Sequence, residues 1–311
     1  MTSQRGTAAR DDRLLVVGEA LVDIVQSASE TRKSPGGSPM NVAVAAARLR
    51  IATDAYLSGV GSDDDGTLIR QHLQSAGVSL VGASETISPT SSAHARILAD
   101  GSASYQFDVS TELPPMRSIS PPAILHLGSI GAFVEPGASQ ALSLLRDLPD
   151  AVVTLDPNVR PAIMGDPERA RRIVSNIVER ADIVKLSDED ASWLYPDMTH
   201  AALASFLISE GASLVAITRG AQGCSLYSTL GHLDLRSPRV AVIDTIGAGD
   251  TFMAALLARI IHRGWIEILR SRSLSLEMVR DLGTFAARGA AITVSRQGCD
   301  PPTAAEMGEW F

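Results

Sequence analysis

Short apolar runs alternate with helix-like stretches along most of this chain, and that alternation limits the folds it can reach. Residues 14–18 (LLVVG) form an apolar run ending at glycine, and similar runs stand at 55–60, 124–128, 152–156, 183–187 and 214–219. Runs of this length and character suit strands buried on both faces of a parallel sheet. Between them, 40–49, 67–76, 138–148, 167–177 and 201–210 read as helices. Such βαβ units build a three-layer α/β/α domain around a mostly parallel central sheet. In these sheets ligands bind beyond the carboxyl ends of the strands, so the loops there are where chemistry is expected.

Two stretches break the pattern. Residues 20–34 and 92–109 alternate like half-exposed strands, with His94, Arg96 and Leu98, then Ser104, Tyr105 and Phe107. Asp100–Gly101 between them is a hairpin-turn signal. They read as a small β-sheet lid standing off the main sheet, or as edge strands of that sheet. The organisation expected is a disordered tail over 1–12, a main domain of 13–19, 35–91 and 110–311, and a lid of 20–34 and 92–109. A helix over 251–262, a second near 276–294 and a turn-rich loop at 298–302 close the chain.

Charge and cysteine usage narrow the function class. The net charge is −8 and no Lys/Arg run stands out, so nucleic acid is not an expected partner. Two cysteines, Cys224 and Cys299, make no disulfide framework and suit a reducing cytoplasm. The polar N-terminus has no signal-peptide core, and no apolar run approaches the ~20 residues that span a bilayer. The six histidines lack metal-ligand spacing. Only two lysines, Lys33 and Lys185, are present to grip a phosphate.

The most informative segment is Asp244-Thr-Ile-Gly-Ala-Gly-Asp-Thr251, which runs into the helix-like FMAALLARII. Gly247, Ala248 and Gly249 are small enough for an anion to approach closely. They sit where the free N–H groups and the positive dipole end of a helix coincide, a natural phosphate site. Asp250 is then out of place unless it has a task. A carboxylate there can take the proton of an alcohol as its oxygen attacks phosphorus; the plainer reading is a helix N-cap. Neither a Walker G-x-x-x-x-G-K-[ST] nor a dinucleotide G-x-G-x-x-G is present.

Two further segments read as a ligand site. Gly36-Gly37 precedes Ser38-Pro39, a plausible N-cap followed by proline at N1. Asn41 then lies in a first helical turn among Ala and Val, where its amide can face a ligand or bond locally. Gly37 lets backbone approach a ligand closely. Asp23 ends the first strand region on its carboxyl side, as a hydroxyl acceptor or as an exposed loop residue.

These residues resemble the ribokinase-like (PfkB) carbohydrate kinases. D-T-x-G-A-G-D at a helix start is that family's C-terminal signature, and Gly36-Gly37-Ser-Pro-Met-Asn41 is similar to its G-G-x-x-x-N signature. Gly18-Glu-Ala-Leu-Val-Asp23, Gly59-Val-Gly-Ser-Asp63 with Gly66, Asp156-Pro-Asn-Val-Arg160 and Thr218-Arg-Gly-Ala-Gln-Gly223 fit in order and spacing, from about residue 13 to 303. The D-x-N-x-R form is closest to fructokinase-like members and 2-keto-3-deoxygluconate kinases.

The resemblance implies MgATP-dependent phosphorylation of a sugar hydroxyl, fructokinase-type first. Ketodeoxygluconate kinase, ribokinase, nucleoside kinase and a non-catalytic sugar-binding regulator are the alternatives. It implies Asp250 as base and the amides of Gly247, Ala248 and Gly249 as anion hole. Asp23, Gly36, Gly37, Asn41, Arg160 and the lid residue Phe107 are the expected sugar contacts. Arg160 could instead pair with Asp156 or Asp182. Lys185, Ser187, Thr218, Gly220 and Gly223 are expected at the nucleotide. Asp190 stands where the family's metal-organising Glu is usual and Ser187 where Asn is usual; the pair also reads as a capping box. Asp244 and Ile246, with the 295–298 loop, match where relatives bind a monovalent cation such as K⁺. A homodimer through the lid is the expected assembly.

Overall fold

Alternate residues of the first strand feed opposite layers of the structure. Leu14 and Val16 enter one hydrophobic core, and Leu15 and Val17 enter the other. That is the period of two expected of a strand buried on both faces. The computed structural model describes residues 12–26, 30–82, 89–97, 103–116 and 119–308.

The strands in chain order are β1 Leu14–Glu19, β2 Leu21–Gln26, β3 Thr31–Gly36, β4 Thr53–Ser58, β5 Ser79–Leu80, β6 Ser92–Ile97 and β7 Ala103–Asp108. They continue as β8 Ile124–Gly128, β9 Val152–Asp156, β10 Ala181–Ser187, β11 Leu214–Thr218, β12 Cys224–Ser228 and β13 Gly231–Leu235. The main sheet runs β13-β12-β11-β10-β9-β8-β1-β4-β5. It is parallel from β11 to β5, and β12 and β13 add an antiparallel edge.

Helices Ser38–Arg48, Asp64–Ser75, Ala248–His262 and Leu276–Val294 cover one face, where the first core lies. Gly137–Asp147, Pro167–Val178, Asp188–Leu194 and His200–Glu210 cover the other. The three expected layers are therefore present. Among the described residues no helix is long and apolar enough to cross a membrane.

The two stretches that broke the pattern form a separate sheet, β3-β2-β6-β7, and are not edge strands of the main one. Residues 20–34, read as one exposed stretch, divide into the antiparallel pair β2 and β3, and β2 lies parallel to β6. Asp23 consequently sits inside β2, not at the end of the first strand; Glu19 takes that place. The Asp100–Gly101 turn, the tail through residue 11 and the side chains of Arg96, Ser104 and Tyr105 lie outside the described residues.

Candidate active site

The helix Ala248–His262 starts three residues before the sequence suggests. Gly247 is its N-cap, at φ 76°, so Asp250 falls in the first turn and is not the cap. Asp250 is buried, at 7 % exposure, and its carboxylate is fixed from a distant part of the chain. Ser38 Oγ donates to its Oδ1 at 2.7 Å and Asn41 Nδ2 to its Oδ2 at 2.8 Å. This corrects the reading of Ser38 as a cap: Gly37, at φ 106°, caps Ser38–Arg48, and the Ser38 hydroxyl is free to hold Asp250. Asn41 likewise turns its amide donor to Asp250. In the helix head, Ala248 N–H bends back to Thr245 O at 3.3 Å, and the first internal bond runs from Thr251 N–H to Gly247 O at 2.8 Å. The N–H groups of Gly249 and Asp250 precede that bond, and helix geometry leaves them to a ligand.

Four polar residues line the first-core side of the central strands. His126, Thr154, Asp156 and Lys185 share parity with the core residues Ile124, Val152 and Ile183, yet all are buried. His126 Nδ1 meets Thr154 Oγ1 at 2.9 Å, and Lys185 Nζ donates to Asp156 Oδ2 at 2.8 Å. Their parity aims them at the helix that carries Asp250. Lys185 reaches its head: a Cβ placed on Gly249 would lie 2.9 Å from Lys185 Nζ. Burial pulls the Lys185 pKa down, but Asp156, Asp190 and Asp250 outweigh it, and the ammonium is held charged, with its pKa raised.

Ser187 and Asp190 form the capping box of Asp188–Leu194. Asp190 N–H donates to Ser187 Oγ at 3.0 Å, and Asp190 Oδ2 accepts Ser187 N–H at 2.8 Å. The other Asp190 oxygen accepts Val159 N–H at 2.7 Å. Asp190 thus ties the β10 exit to the 156–160 loop. Thr218 registers beside Ser187 on the next strand. Gly220, at φ 50°, faces open space, whereas a Cβ on Gly223 would strike Leu235 O at 1.9 Å. Gly223 is therefore required by the packing of the β12–β13 edge.

Asp23 lies over Gly36, where a Cβ would stand 2.1 Å from Asp23 Oδ2. The chain then runs through Gly37 to Ser38, which links the Asp23 carboxylate to the Asp250 site. Burial raises the Asp23 pKa and the Arg160 cation lowers it in part. Arg160 is exposed and bonds its own loop, Asn158 Oδ1 at 2.8 Å and Val159 O at 3.0 Å; it makes no bond to Asp156 or Asp182. Phe107 is 40 % exposed on β7, opposite Ala93.

Glu19, a residue to which the sequence assigns no role, is fully buried at the end of β1. Its Oε2 accepts Gly131 N–H at 2.7 Å, and Ser129 adds a hydroxyl bond. Burial pushes its pKa from 4.5 to about 7, against those bonds and the Arg160 cation. The folded chain therefore keeps a proton that the unfolded chain releases near pH 4.5. The stability this contributes is complete below pH 4.5 and is lost as pH rises through about 7. At 1.36 kcal/mol per unit the loss is about 3 kcal/mol. Glu19→Gln keeps the acceptor without the charge. Denaturation at pH 4.5 and pH 8 is expected to show wild type losing that much relative to the variant; parallel pH profiles would contradict the assignment.

Asp244 Oδ1 accepts Ile246 N–H at 3.0 Å and its Oδ2 accepts Gly298 N–H at 2.9 Å. These bonds hold its pKa low and join the 244–246 turn to the 295–298 loop. The same loop brings Cys299 against Gly247. Ile246 is 56 % exposed.

The pfkB family carbohydrate kinase model matches residues 11–306. A curated fructokinase of Rhizobium leguminosarum bv. trifolii is 34 % identical over 258 residues, 79 % of this chain and 78 % of that protein. The crystal structure of fructokinase with bound ATP from Xylella fastidiosa superposes with a TM-score of 0.81 at 24 % identity, covering 96 % of this chain and 98 % of the other. A double mutant of Vibrio cholerae O395 fructokinase, in fructose, ADP and potassium ion bound form, superposes at 0.77 with 25 % identity, covering 96 % and 98 %. The motifs lie on the fold and in the order that such a family requires, and the chain belongs to the pfkB family of carbohydrate kinases.

Proposed function

We propose that this chain transfers the γ-phosphoryl group of ATP to a hydroxyl of fructose. The observation that carries the reading is the Asp250 carboxylate, held by Ser38 and Asn41 at the glycine-rich head of a helix. The fructokinase relatives support the choice of sugar.

On this reading the sugar lies between Asp23 and Asp250, with Gly36 and Gly37 giving room for its hydroxyls. Asp250 removes the proton of the attacking hydroxyl. Ser38 and Asn41 leave it no rotamer freedom to lose. The free helix-head amides of Gly249 and Asp250, with Gly247 before them, take the charge that develops on the phosphoryl oxygens, whereas Ala248 N–H, expected to join them, is already given to Thr245 O. Thr218, Gly220 and the strand ends beside them hold the nucleotide. Arg160, whose charge acts on both Asp23 and Glu19, orients the sugar. The second sheet covers the site as a lid and excludes water; Phe107 is its candidate contact, and a homodimer would form through it.

Mg²⁺ would screen the ATP phosphates. Among the described residues no three acidic, His or Cys side chains gather as a metal cluster, and both Asp190 oxygens already accept amides. That fits an ion carried by ATP and water, which Asp190 would meet through water. Asp244, held ionised, with the Ile246 turn and the 295–298 loop, suits a hard monovalent cation such as K⁺. A cytoplasmic setting accords with the free thiols of Cys224 and Cys299.

The test is product formation from MgATP with fructose, tagatose, ribose, ketodeoxygluconate, adenosine and inosine, in K⁺, Na⁺ and choline salts. Fructose is expected to give the highest kcat/KM, with K⁺ above choline. Preference for another acceptor replaces the substrate, equal rates in the three salts remove the cation, and no transfer at all removes the reading.

A further inference from the structure

The amino-terminal ends of the central strands carry a second cluster of charges, which phosphoryl transfer does not use. The loops 149–151, 179–181 and 211–213 lead into β9, β10 and β11, and with Arg270 and Arg272 they line a cleft of about 280 Å³. β9 is 5 residues long. At ~3.3 Å per residue the cleft therefore lies roughly 17 Å from Asp156, at the other end of that strand. Three guanidinium groups stand around it. Arg180 Nη2 donates to Pro149 O at 2.9 Å, Arg270 Nη2 to Asp150 O, and Arg272 Nη2 to Ile208 O at 2.6 Å and Ala212 O at 3.0 Å. Carbonyls thus fix the three heads and take few of the N–H groups that each carries. Asp182 lies among them. Burial raises its pKa, and the Val153 amide and the cations of Arg270, Arg180 and Arg272 pull it back.

Three features mark the cleft as a built site. The β10 register shifts between Ala181 and Ile183, and Asp182, the extra residue, accepts Val153 N–H on its Oδ2 at 2.9 Å. Such a bulge re-aims a side chain, in this case into the cleft. Arg272 has φ 55° just past a helix end, where glycine is usual, so its side chain is kept against the backbone preference. Ser213, in the lining, is 2 % exposed, and its Oγ has no partner among the described residues. A buried hydroxyl without a partner calls for one. The other carboxylates face water: Asp150 and Glu179 at the mouth, and Glu267, which meets Arg270 Nη1 at 3.3 Å. Water screens them. Within the cleft three cations face one carboxylate, an arrangement for a dianion that also carries hydroxyls. Guanidinium forks match phosphate oxygens, and a carboxylate beside them accepts hydrogen bonds from hydroxyls. The volume is at the low end for small-ligand sites, which suits a monosaccharide phosphate better than a nucleotide.

We propose that this cleft is a second binding site, for a small sugar phosphate. Arg180, Arg270 and Arg272 hold the phosphate, and Asp182, with Ser213 beneath it, holds hydroxyls of the sugar. The inference does not rest on the kinase reading, because none of these residues belongs to the Asp250 site.

The test is calorimetric titration of the full chain with fructose 6-phosphate, inorganic phosphate and fructose. Fructose 6-phosphate is expected to bind this cleft, inorganic phosphate to bind it more weakly, and fructose not to bind it. Arg270→Met keeps the apolar stem and Arg272→Gly relieves the left-handed backbone, so both should fold. Each is expected to weaken the sugar phosphate about 10–100-fold, the worth of a hydrogen bond to a charged group. Gly247→Ala, at the catalytic helix head, should leave this binding unchanged. Asp182→Asn keeps the acceptor for Val153 N–H; it should tighten inorganic phosphate and narrow its gap from the sugar phosphate. Hydrogen exchange on the unaltered chain needs no variant: fructose 6-phosphate should protect 149–153, 179–182 and 211–213. Absence of that protection overturns the inference. So does binding that Gly247→Ala abolishes and both arginine variants keep, which would belong to the catalytic cleft. Inorganic phosphate that binds as tightly as the ester overturns the assignment of a sugar phosphate.

Discussion

Asp250→Asn is expected to lower kcat by roughly 10³–10⁴-fold, the upper part of the range for a general base. Kd for ATP should change little, because the amides and strand ends that receive the nucleotide are untouched. The substitution keeps the shape of the side chain and removes its ability to take a proton. It also sets two amide groups face to face, since Asn41 Nδ2 now donates to Asp250 Oδ2. Either the new amide flips or one donor is left unpaired, at a cost of about 1–3 kcal/mol in stability. Stability must therefore be measured beside turnover. A folded variant with near-normal turnover would show that Asp250 only staples two helices together. The cap explanation cannot account for a large loss, because the cap is Gly247.

Much of this was legible in the sequence, for a physical reason. Strands buried on both faces leave continuous apolar runs, and a phosphate site at a helix head needs small residues in one contiguous stretch. Both signals are local. What was hidden depends on contacts between distant segments. Ser38 reads as a cap because Ser before Pro ordinarily is one; its bond to Asp250 is visible only when two helices are brought together. Glu19 follows an apolar run, and nothing local shows that its carboxyl is buried against Gly131. His126, Thr154, Asp156 and Lys185 were open to discovery, since polar residues at one parity of three central strands contradict a purely apolar core. Each strand alone offers only one or two such residues, and the column appears only when β8, β9 and β10 lie side by side. Asp23 is hard to place from the sequence because β2, in a second sheet, follows β1 after Ala20 alone, and the nearby Gly18 lies inside β1 and does not mark the turn.

Gly247→Ala is expected to cost about 10²-fold or more in kcat, as displacement of preorganised donors does. Two effects act together. At φ 76° a Cβ is strained, by about 1–2 kcal/mol in the left-handed region. The added methyl would also lie 2.1 Å from Cys299 Sγ and 2.9 Å from its Cβ, so something must move. The Cys299 loop is anchored through Gly298 N–H to Asp244, which leaves the helix head as the part that yields. Gly77→Ala, behind the helix Asp64–Ser75, separates the two effects: its φ of 79° carries similar strain, but nothing lies within 4 Å of the added carbon. It should lose stability with little loss of turnover. Adding Cys299→Gly to Gly247→Ala removes the clash and keeps the strain, so part of the lost turnover should return. Equal turnover in the Gly247 and Gly77 single variants would mean that the helix-head amides do not hold the transferred group, and the anion hole would have to be sought elsewhere.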